Sequence, residues 1–409
     1  MENKNAIELI EIKGHIIDSL ILPQIFDEIV EAGGEFEVVE FVIGKTNIDE
    51  SLAKIKISAI SHEVLDIILY RLQRLGVVPV KVKNAATAPA PKDGILPDDF
   101  YSTTNIATKI RISRNWIDVQ NQEMDCAVVI NKNQIPECVR MSKVKKGDHI
   151  VIGRNGIRVM PTERPREGTF FEFMTSSVSS EKPKRLLIKE IAKRMRLIKE
   201  SDGKILFVCG PAVVHTGAKK YLVRLINNGY IDVLFSGNAL AVHDLESEIF
   251  GTSLGISLKS GAVTDEGHGN HLRAINIIKN YGSIKNAIDA GVIKDGIMHA
   301  LIKNKKEYVL AGSIRDDGPL PEVITDVVEA QDAMRSKLKD IKMALMLATM
   351  LHSIAVGNLL PATVETYCID INPAVVTKLT DRGSFQTRGM VTDIGLFLRD
   401  LTNELINVW

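Results

Sequence analysis

Apolar and polar positions alternate with two different periods along this chain, and the period changes mark its elements. In residues 1–83, Ile7–Ile12, Glu35–Ile43, Leu52–Ile60 and Val77–Val82 carry the two-residue alternation of half-buried strands. Pro23–Ala32, closed by Gly33-Gly34, and His62–Leu75, opened by Ser61, carry the helical period. The resulting order βαββαβ predicts a ferredoxin-like module, a fold that binds amino acids or dimerises through its sheet in different settings. Asn84–Pro97, NAATAPAPKDGILP, has no period and reads as a semi-rigid linker. Residues 98–180 form a β-rich segment with short runs at Lys109–Ile112, Cys126–Asn131, His149–Gly153 and Ile157–Val159. Between the last two, Gly153-Arg154-Asn155-Gly156 carries the Asn-Gly signal of a tight hairpin.

From residue 181 to 409 the pattern becomes a βα rhythm. Six apolar runs, Lys204–Cys209, Ile231–Phe235, Tyr308–Ala311, Met343–Ala348, Thr363–Ile369 and Thr387–Val391, are separated by helical stretches. Those stretches include Ala218–Asn228, His271–Lys279, Ile284–Ala290, Ile297–Lys303 and Val323–Lys337, and a basic amphipathic helix, Leu186–Ile198, precedes them. Unbroken apolar strands of this kind are buried on both faces, so the region predicts an α/β, doubly wound, Rossmann-like parallel sheet. Ligands of such sheets lie beyond the carboxyl ends of the strands. The turns at those ends are therefore where chemistry is expected.

Thr349 ends one strand and Asp370 ends the next, an offset of 370 − 349 = 21 positions. A carboxylate about 20 residues on is where a dinucleotide fold meets the adenosine ribose, and it favours NAD over NADP by repelling a 2′-phosphate. The glycine fingerprint is absent, since the turn reads ATMLHSIAVG. The alternative is that Asp370 only caps the helix opening at Pro373. Asp393 is delivered by the last strand in the same way, and His352 lies beside any cofactor held at Thr349. In SGNAL, Gly237 admits a ligand to the backbone and Asn238 can read an amide or a ribose hydroxyl.

In GSIRDDGPLP, Arg315, Asp316 and Asp317 are bracketed by Gly312 and Gly318. The arginine suits a substrate carboxylate and the acids its amine, or the three close the loop as an internal ion pair. TDEGHGNH packs Asp265, Glu266, His268 and His271 into eight positions. Its i, i+3 histidines lack the spacing of zinc enzymes, so Glu266 or His268 is expected as a proton carrier rather than a metal ligand. The alternative is a loop of satisfied polar groups capping the next helix. Arg164, Arg166 and Glu167 either reach an active site from a neighbouring domain or form a solvated loop. His215 and Thr216 can meet a phosphate at the following helix, whereas Cys209 reads as a small buried hydrophobe.

Composition narrows the partners. Lys+Arg and Asp+Glu are 51 each and aromatic residues make up 5%, which does not favour nucleic acid or a membrane surface. The four cysteines, Cys126, Cys138, Cys209 and Cys368, show no metal or CxxC spacing, which points to a reducing, cytoplasmic setting. No apolar run reaches the roughly 18 residues a membrane helix requires.

SGNALAVHDLE, the DEGHGNH loop and AGSIRDDGPLPEV together resemble the archaeal and cyanobacterial lysine-oxoglutarate reductase/saccharopine dehydrogenase-like (LOR/SDH) family. The resemblance spans nearly the whole chain and is close to the methanogen form. It implies an NAD-dependent ornithine cyclodeaminase, with NAD held at Asn238, Ala239, Asp317, Thr349, Met350, Leu351, His352, Asp370, Asp393 and Ile394. Glu266, His268 and Arg315 are then the expected proton carriers and carboxylate clamp, and a homo-oligomer is expected. The C-terminal region is also similar in general fold to deoxyhypusine synthase. It departs from the crystallin-like ornithine cyclodeaminases, whose glycine-rich turn is missing. Two other activities fit the same features: an NAD(P)-dependent saccharopine-type oxidoreductase, and a non-catalytic nucleotide or amino-acid sensor.

Overall fold

The alternation of the first residues is realised, in the computed structural model, as β1 (Ala6–Gly14), α1 (Ile21–Glu31), β2 (Glu35–Val42), β3 (Ser51–Ala59), α2 (His62–Gln73) and β4 (Val78–Pro79). These strands form an antiparallel sheet in the order β2-β3-β1-β4, the ferredoxin-like arrangement. Isoleucines spaced two apart in the strands and near four apart in the helices, among them Ile10, Ile12, Ile25, Ile29, Ile55 and Ile57, meet in its core. Ser61 caps α2 as expected, its hydroxyl accepting from the Val64 amide at 3.2 Å. β4 covers only the start of the apolar run Val77–Val82, although the Val80 amide still donates to the Leu9 carbonyl at 2.8 Å.

Two further antiparallel sheets follow, built from β5 (Ala86–Pro89), β6 (Thr108–Ile112), β7 (Asn115–Asp118), β8 (Ala127–Ile130), β9 (Pro136–Val139), β10 (His149–Ile152) and β11 (Ile157–Val159). Two expectations are corrected here. Part of the presumed linker is a strand, because β5 pairs with β10 on the edge of its sheet, where the absent proline N–H costs no ladder bond. The Gly153–Gly156 tetrapeptide is not a hairpin: β10 belongs to the β5-β10-β8-β9 sheet and β11 to β11-β6-β7. A two-residue hairpin instead joins β6 to β7 through Ser113 and Arg114, both at positive φ, 49° and 70°.

The chain divides into two compact units, Met1–Thr175 and Ser176–Trp409. The structure describes residues 6–17, 19–45, 49–160, 184–253, 256–257, 269–314, 316, 318–381 and 387–406.

The second unit runs α3 (Lys184–Glu200), β12 (Lys204–Cys209), α4 (Ala212–His215), α5 (Lys219–Asn227), β13 (Val233–Gly237) and α6 (Asn238–Phe250). After the short β14 (Thr252–Ser253) and β15 (Ile256–Ser257) come α7 (Asn270–Tyr281), α8 (Ile284–Asp289), α9 (Ile297–Lys303), β16 (Glu307–Ala311) and β17 (Val323–Ile324). It closes with α10 (Val327–Ser336), β18 (Ile341–Leu347), α11 (Leu351–Leu359), β19 (Glu365–Asp370), α12 (Pro373–Asp381), β20 (Thr387–Val391) and α13 (Ile394–Ile406). Seven strands, all parallel, lie in the order β17-β16-β13-β12-β18-β19-β20. The seventh, β17, occupies the start of the stretch expected to be wholly helical. Its two residues, Val323 and Ile324, fit either period, and hydrogen bonding to β16 decides.

Alternate residues of the central strands feed two cores. Phe207, Cys209, Leu345 and Leu347 pack under α3, α5, α6 to α9 and α13, while Leu206, Val208, Ala344 and Met346 pack under α10, α11 and α12. Numbered along the chain, the six strands other than β17 follow the 3-2-1-4-5-6 order of a dinucleotide-binding sheet. The order reverses between β12 and β18, and that is where such sheets open a crevice.

Candidate active site

At the reversal point the backbone is crowded by construction. The Gly210 amide, just past β12, donates to the Leu347 carbonyl at 2.9 Å, and a Cβ on Gly210 would collide with the Ala348 carbonyl. Ala348 itself holds φ at 50°, an unfavourable left-handed conformation for alanine. Its amide is tied to the Ile369 carbonyl at 2.9 Å, so neighbouring β19 enforces the turn that launches Thr349.

That turn carries α11, and with it His352, back over the end of β13. A Cβ on Gly237 would approach His352 Cε1 to 2.8 Å, which is why glycine precedes Asn238. Burial lowers the His352 pKa, and the Asp316 carboxylate opposes that shift. Burial thereby favours the neutral imidazole, although Asp316 stands nearby. Asn238, at 5% exposure, uses Oδ1 to accept from the Leu320 amide at 3.1 Å, fastening the end of β13 to the loop that follows β16. The Ser353 hydroxyl donates to the Thr349 carbonyl and stiffens the first turn of α11.

Asp370 is 8% exposed, and its Oδ1 accepts from the Asn372 amide at 2.8 Å in an Asx turn. The cap of the helix beginning at Pro373 is Asn372, whose side chain accepts from Ala374 at 3.0 Å. The helix-cap alternative for Asp370 is therefore set aside. Asp393 does cap a helix, accepting from the Leu396 amide at 2.9 Å, and Ile394 beside it is buried.

The structure thus brings Asn238, Ala239, Thr349, Met350, Leu351, His352, Asp370, Asp393 and Ile394 to the carboxyl edge of one sheet. Glu266, His268, Arg315 and Asp317 lie outside the described residues, as do Arg164, Arg166 and Glu167. Cys209 is fully buried at the end of β12, and burial pushes its thiol pKa up, which suits the hydrophobe expected there. His215 and Thr216 are engaged within the protein. His215 Nδ1 meets the Ser253 hydroxyl at 2.7 Å, and Thr216 donates to the Ala212 carbonyl at 2.8 Å.

Two features of this edge escaped the sequence. Ile314, Leu351 and Ile371 stand on the strand-end turns with high exposure, Leu351 at 79% and Ile371 at 72%. Apolar side chains held out at a polar edge offer a surface for a flat ring. The second feature is a buried polar network on the α6 side. Glu246, fully buried, accepts from His243 Nδ1 at 2.8 Å and from Thr252 at 2.8 Å. Asn270 donates to Thr252 at 3.0 Å, and Arg273 to Asn270 at 3.0 Å. His215 packs edge-on to His243, ring centres 4.7 Å apart, and His271 lies 6.4 Å from the same ring. His215 is pushed down to about 4 by burial and by the neighbouring His243, which keeps it neutral at physiological pH. Among the described residues, no group of three or more His, Cys, Asp and Glu side chains is arranged to hold a metal.

A doubly wound parallel sheet with its polar turns gathered at one carboxyl edge defines a dinucleotide-binding class of protein. Comparison with known proteins narrows the class. Residues 189–401 match the Rossmann-fold family described as arginine dihydrolase ArgZ-like, C-terminal, and residues 107–188 its first region. Residues 7–106 match the conserved region of LOR/SDH bifunctional enzymes. The chain belongs to this LOR/SDH, ArgZ-like family. It is 54% identical to the ornithine cyclodeaminase of Methanocaldococcus jannaschii over 403 residues, covering 97% of this chain and 95% of that one. A crystal structure of a LOR/SDH protein from Methanococcus maripaludis superposes with a TM-score of 0.76 at 51% identity, covering 80% of this chain and 99% of that one. The ternary complex of AgrE with ornithine and NAD⁺ superposes with a TM-score of 0.54 at 41% identity, covering 98% of this chain and 58% of that one.

Proposed function

We propose that the chain is an ornithine cyclodeaminase, converting L-ornithine to L-proline and ammonia with NAD as a cofactor restored in each turnover. The observation that carries this reading is its 54% identity, over 97% of its length, to an archaeal protein of that activity.

The edge of the second unit suits NAD. Helices α6 and α11 both start there without a side-chain cap, leaving first-turn amides for a diphosphate. In this reading the second oxygen of Asp370 meets a ribose hydroxyl and the exposed Ile371 the face of an adenine, which the Asx turn at Oδ1 and the 72% exposure of Ile371 support. Asn238, Ala239, Thr349 to His352, Asp393 and Ile394 make up the remainder of the proposed site, and the family resemblance adds Asp317. When bound, NAD supplies a reversible acceptor for the hydrogen of the substrate α-carbon.

The chain's own groups do the rest. Arg315 is the carboxylate clamp of this reading, and Glu266 or His268 a proton carrier in the cyclisation that follows loss of the α-hydrogen. Neutral His352, buried beside the cofactor edge, excludes water without adding positive charge. Four free, buried cysteines suit the cytoplasm, and no described helix is long and apolar enough to cross a membrane. Edge strand β2 is exposed along its whole length, with Phe36, Val38, Val39, Phe41 and Val42 among its residues, which supports assembly into a homo-oligomer.

The test is turnover of ornithine by the purified chain with NAD at a small fraction of the substrate. Proline and ammonia should form in equal amounts while NADH absorbance stays flat. Stoichiometric NADH, or a requirement for 2-oxoglutarate, would identify an ordinary amino-acid oxidoreductase instead.

A further inference from the structure

The network around Glu246 is expensive to bury. A carboxylate with no exposed surface loses its hydration and must recover it from hydrogen bonds, and a half-satisfied network is worse than an apolar core. Here that cost is met by His243 and Thr252, themselves backed by Asn270 and Arg273. Helix packing alone does not require it: Leu240, Ala241, Val242 and Leu245 already fill the α6 face that meets the sheet. The network does one specific thing. By accepting from Nδ1, Glu246 fixes His243 in the tautomer whose lone pair is on Nε2.

Several ionisable groups pack around that ring. Of the titratable groups packed around the ring, His215 on α4 is held neutral by burial, and His271 stands on α7. Arg273 on α7 donates to Asn270 Oδ1. α6 begins at Asn238, on the carboxyl edge of the sheet, so His243 lies about 7.5 Å along the helix from that edge. His215 lies a single short helix beyond the end of β12.

We propose that His243, oriented by Glu246, is the base that takes the proton from the substrate's α-ammonium, and that Glu246 is its positioning residue. This rests on the cyclodeaminase reading. In the step concerned, one N–H bond of the ammonium breaks and its proton goes to His243 Nε2, leaving the nitrogen lone pair to form the carbon–nitrogen π bond as hydrogen leaves the α-carbon. The imidazolium that results is stabilised by the Glu246 carboxylate. When the amine is expelled from the cyclised carbon, the same proton returns to it, so the residue ends each turnover neutral.

His243→Gln and Glu246→Gln test the pair. His243→Gln should lower kcat by about a hundredfold, in the range of a lost general base, with NAD affinity and melting temperature within error of wild type. Glu246→Gln should lower kcat less and displace the acidic limb of its pH profile, because Gln holds the ring without stabilising its cation. Nitrogen-15 NMR of the histidines gives a readout independent of turnover: one ring should report protonated Nδ1 and bare Nε2, and that signature should vanish in His243→Gln. Wild-type kcat and pH profile in His243→Gln would overturn the proposal, as would a loss of kcat that tracks loss of fold. If the wild-type chain itself leaves ornithine intact, the cyclodeaminase reading fails first, whatever the variants do.

Discussion

His352 and Gly237 are in van der Waals conflict with any larger residue: the imidazole of one occupies the space where the other's Cβ would stand, 2.8 Å from Cε1. This contact joins the two halves of the sheet, since Gly237 ends β13 and His352 opens α11 after β18. It makes the site's geometry depend on one missing methyl group. Gly237→Ala should displace the ring, at a cost of about 1–3 kcal/mol typical of overpacking. The backbone φ there is −100°, so the cost is steric and not conformational. Melting temperature and NAD affinity should fall together, and His352→Ala in the same chain should restore the stability while leaving NAD binding weak.

Asp370 separates ribose recognition from local structure. Its Oδ1 closes an Asx turn on Asn372, and in the proposed site its other oxygen meets the cofactor. Asp370→Asn keeps an acceptor for the turn but removes the charge. It should weaken NAD by about tenfold, as expected for one charge-assisted hydrogen bond, and narrow the preference for NAD over NADP. Calorimetric titration with both nucleotides measures this, and equal NAD affinity in variant and wild type would remove Asp370 from the site.

A buried aspartate and a half-buried histidine give opposite dependences of stability on pH. Asp244 accepts from the amides of Ile297 and Met298 at 2.9 and 2.8 Å, capping α9 from a distance, and burial pushes its carboxyl up to about 6. An unfolded aspartate titrates near about 3.9, so between those values the native state holds a proton the unfolded chain has released. Its contribution therefore falls as pH rises through that window, by roughly 3 kcal/mol at most. His215 works the other way. Pushed down to about 4, it is neutral in the native state where an unfolded histidine is charged below about 6.5, so stability is lost as pH falls through that range. Chemical denaturation from pH 4 to 7 should show a shallow profile in the wild type. Asp244→Asn should make it rise with pH, and His215→Asn should make it fall.

The central strands of the second unit, β13, β12, β18 and β19, were legible because they are buried along nearly their whole length and so read as continuous apolar runs. Lys204–Cys209 and Thr387–Val391 coincide with observed strands residue for residue. Short edge strands were not: Val323–Ile324 has too few residues to show a period, and Ala86–Pro89 is hidden by its alanine and proline content. The Asn155-Gly156 signal reported a left-handed turn, which is real, with Gly156 at φ 70°, but turn chemistry does not name the partner of the strand that follows. At the site, single residues on strand ends could be picked out by position. The His243 and Glu246 network could not, because residues 215, 243, 246, 252 and 270 meet only after helices α4, α6 and α7 pack.

The central claim is that hydrogen leaves the α-carbon of ornithine and comes back to that carbon without reaching solvent. Ornithine deuterated at the α-carbon, turned over in ordinary water with NAD far below substrate, measures this directly by mass spectrometry of the product. The account predicts proline that keeps its deuterium at the α-carbon, with one ammonia released per proline. Proline carrying hydrogen from water at that carbon, or deuterium accumulating in free NADH, would contradict it.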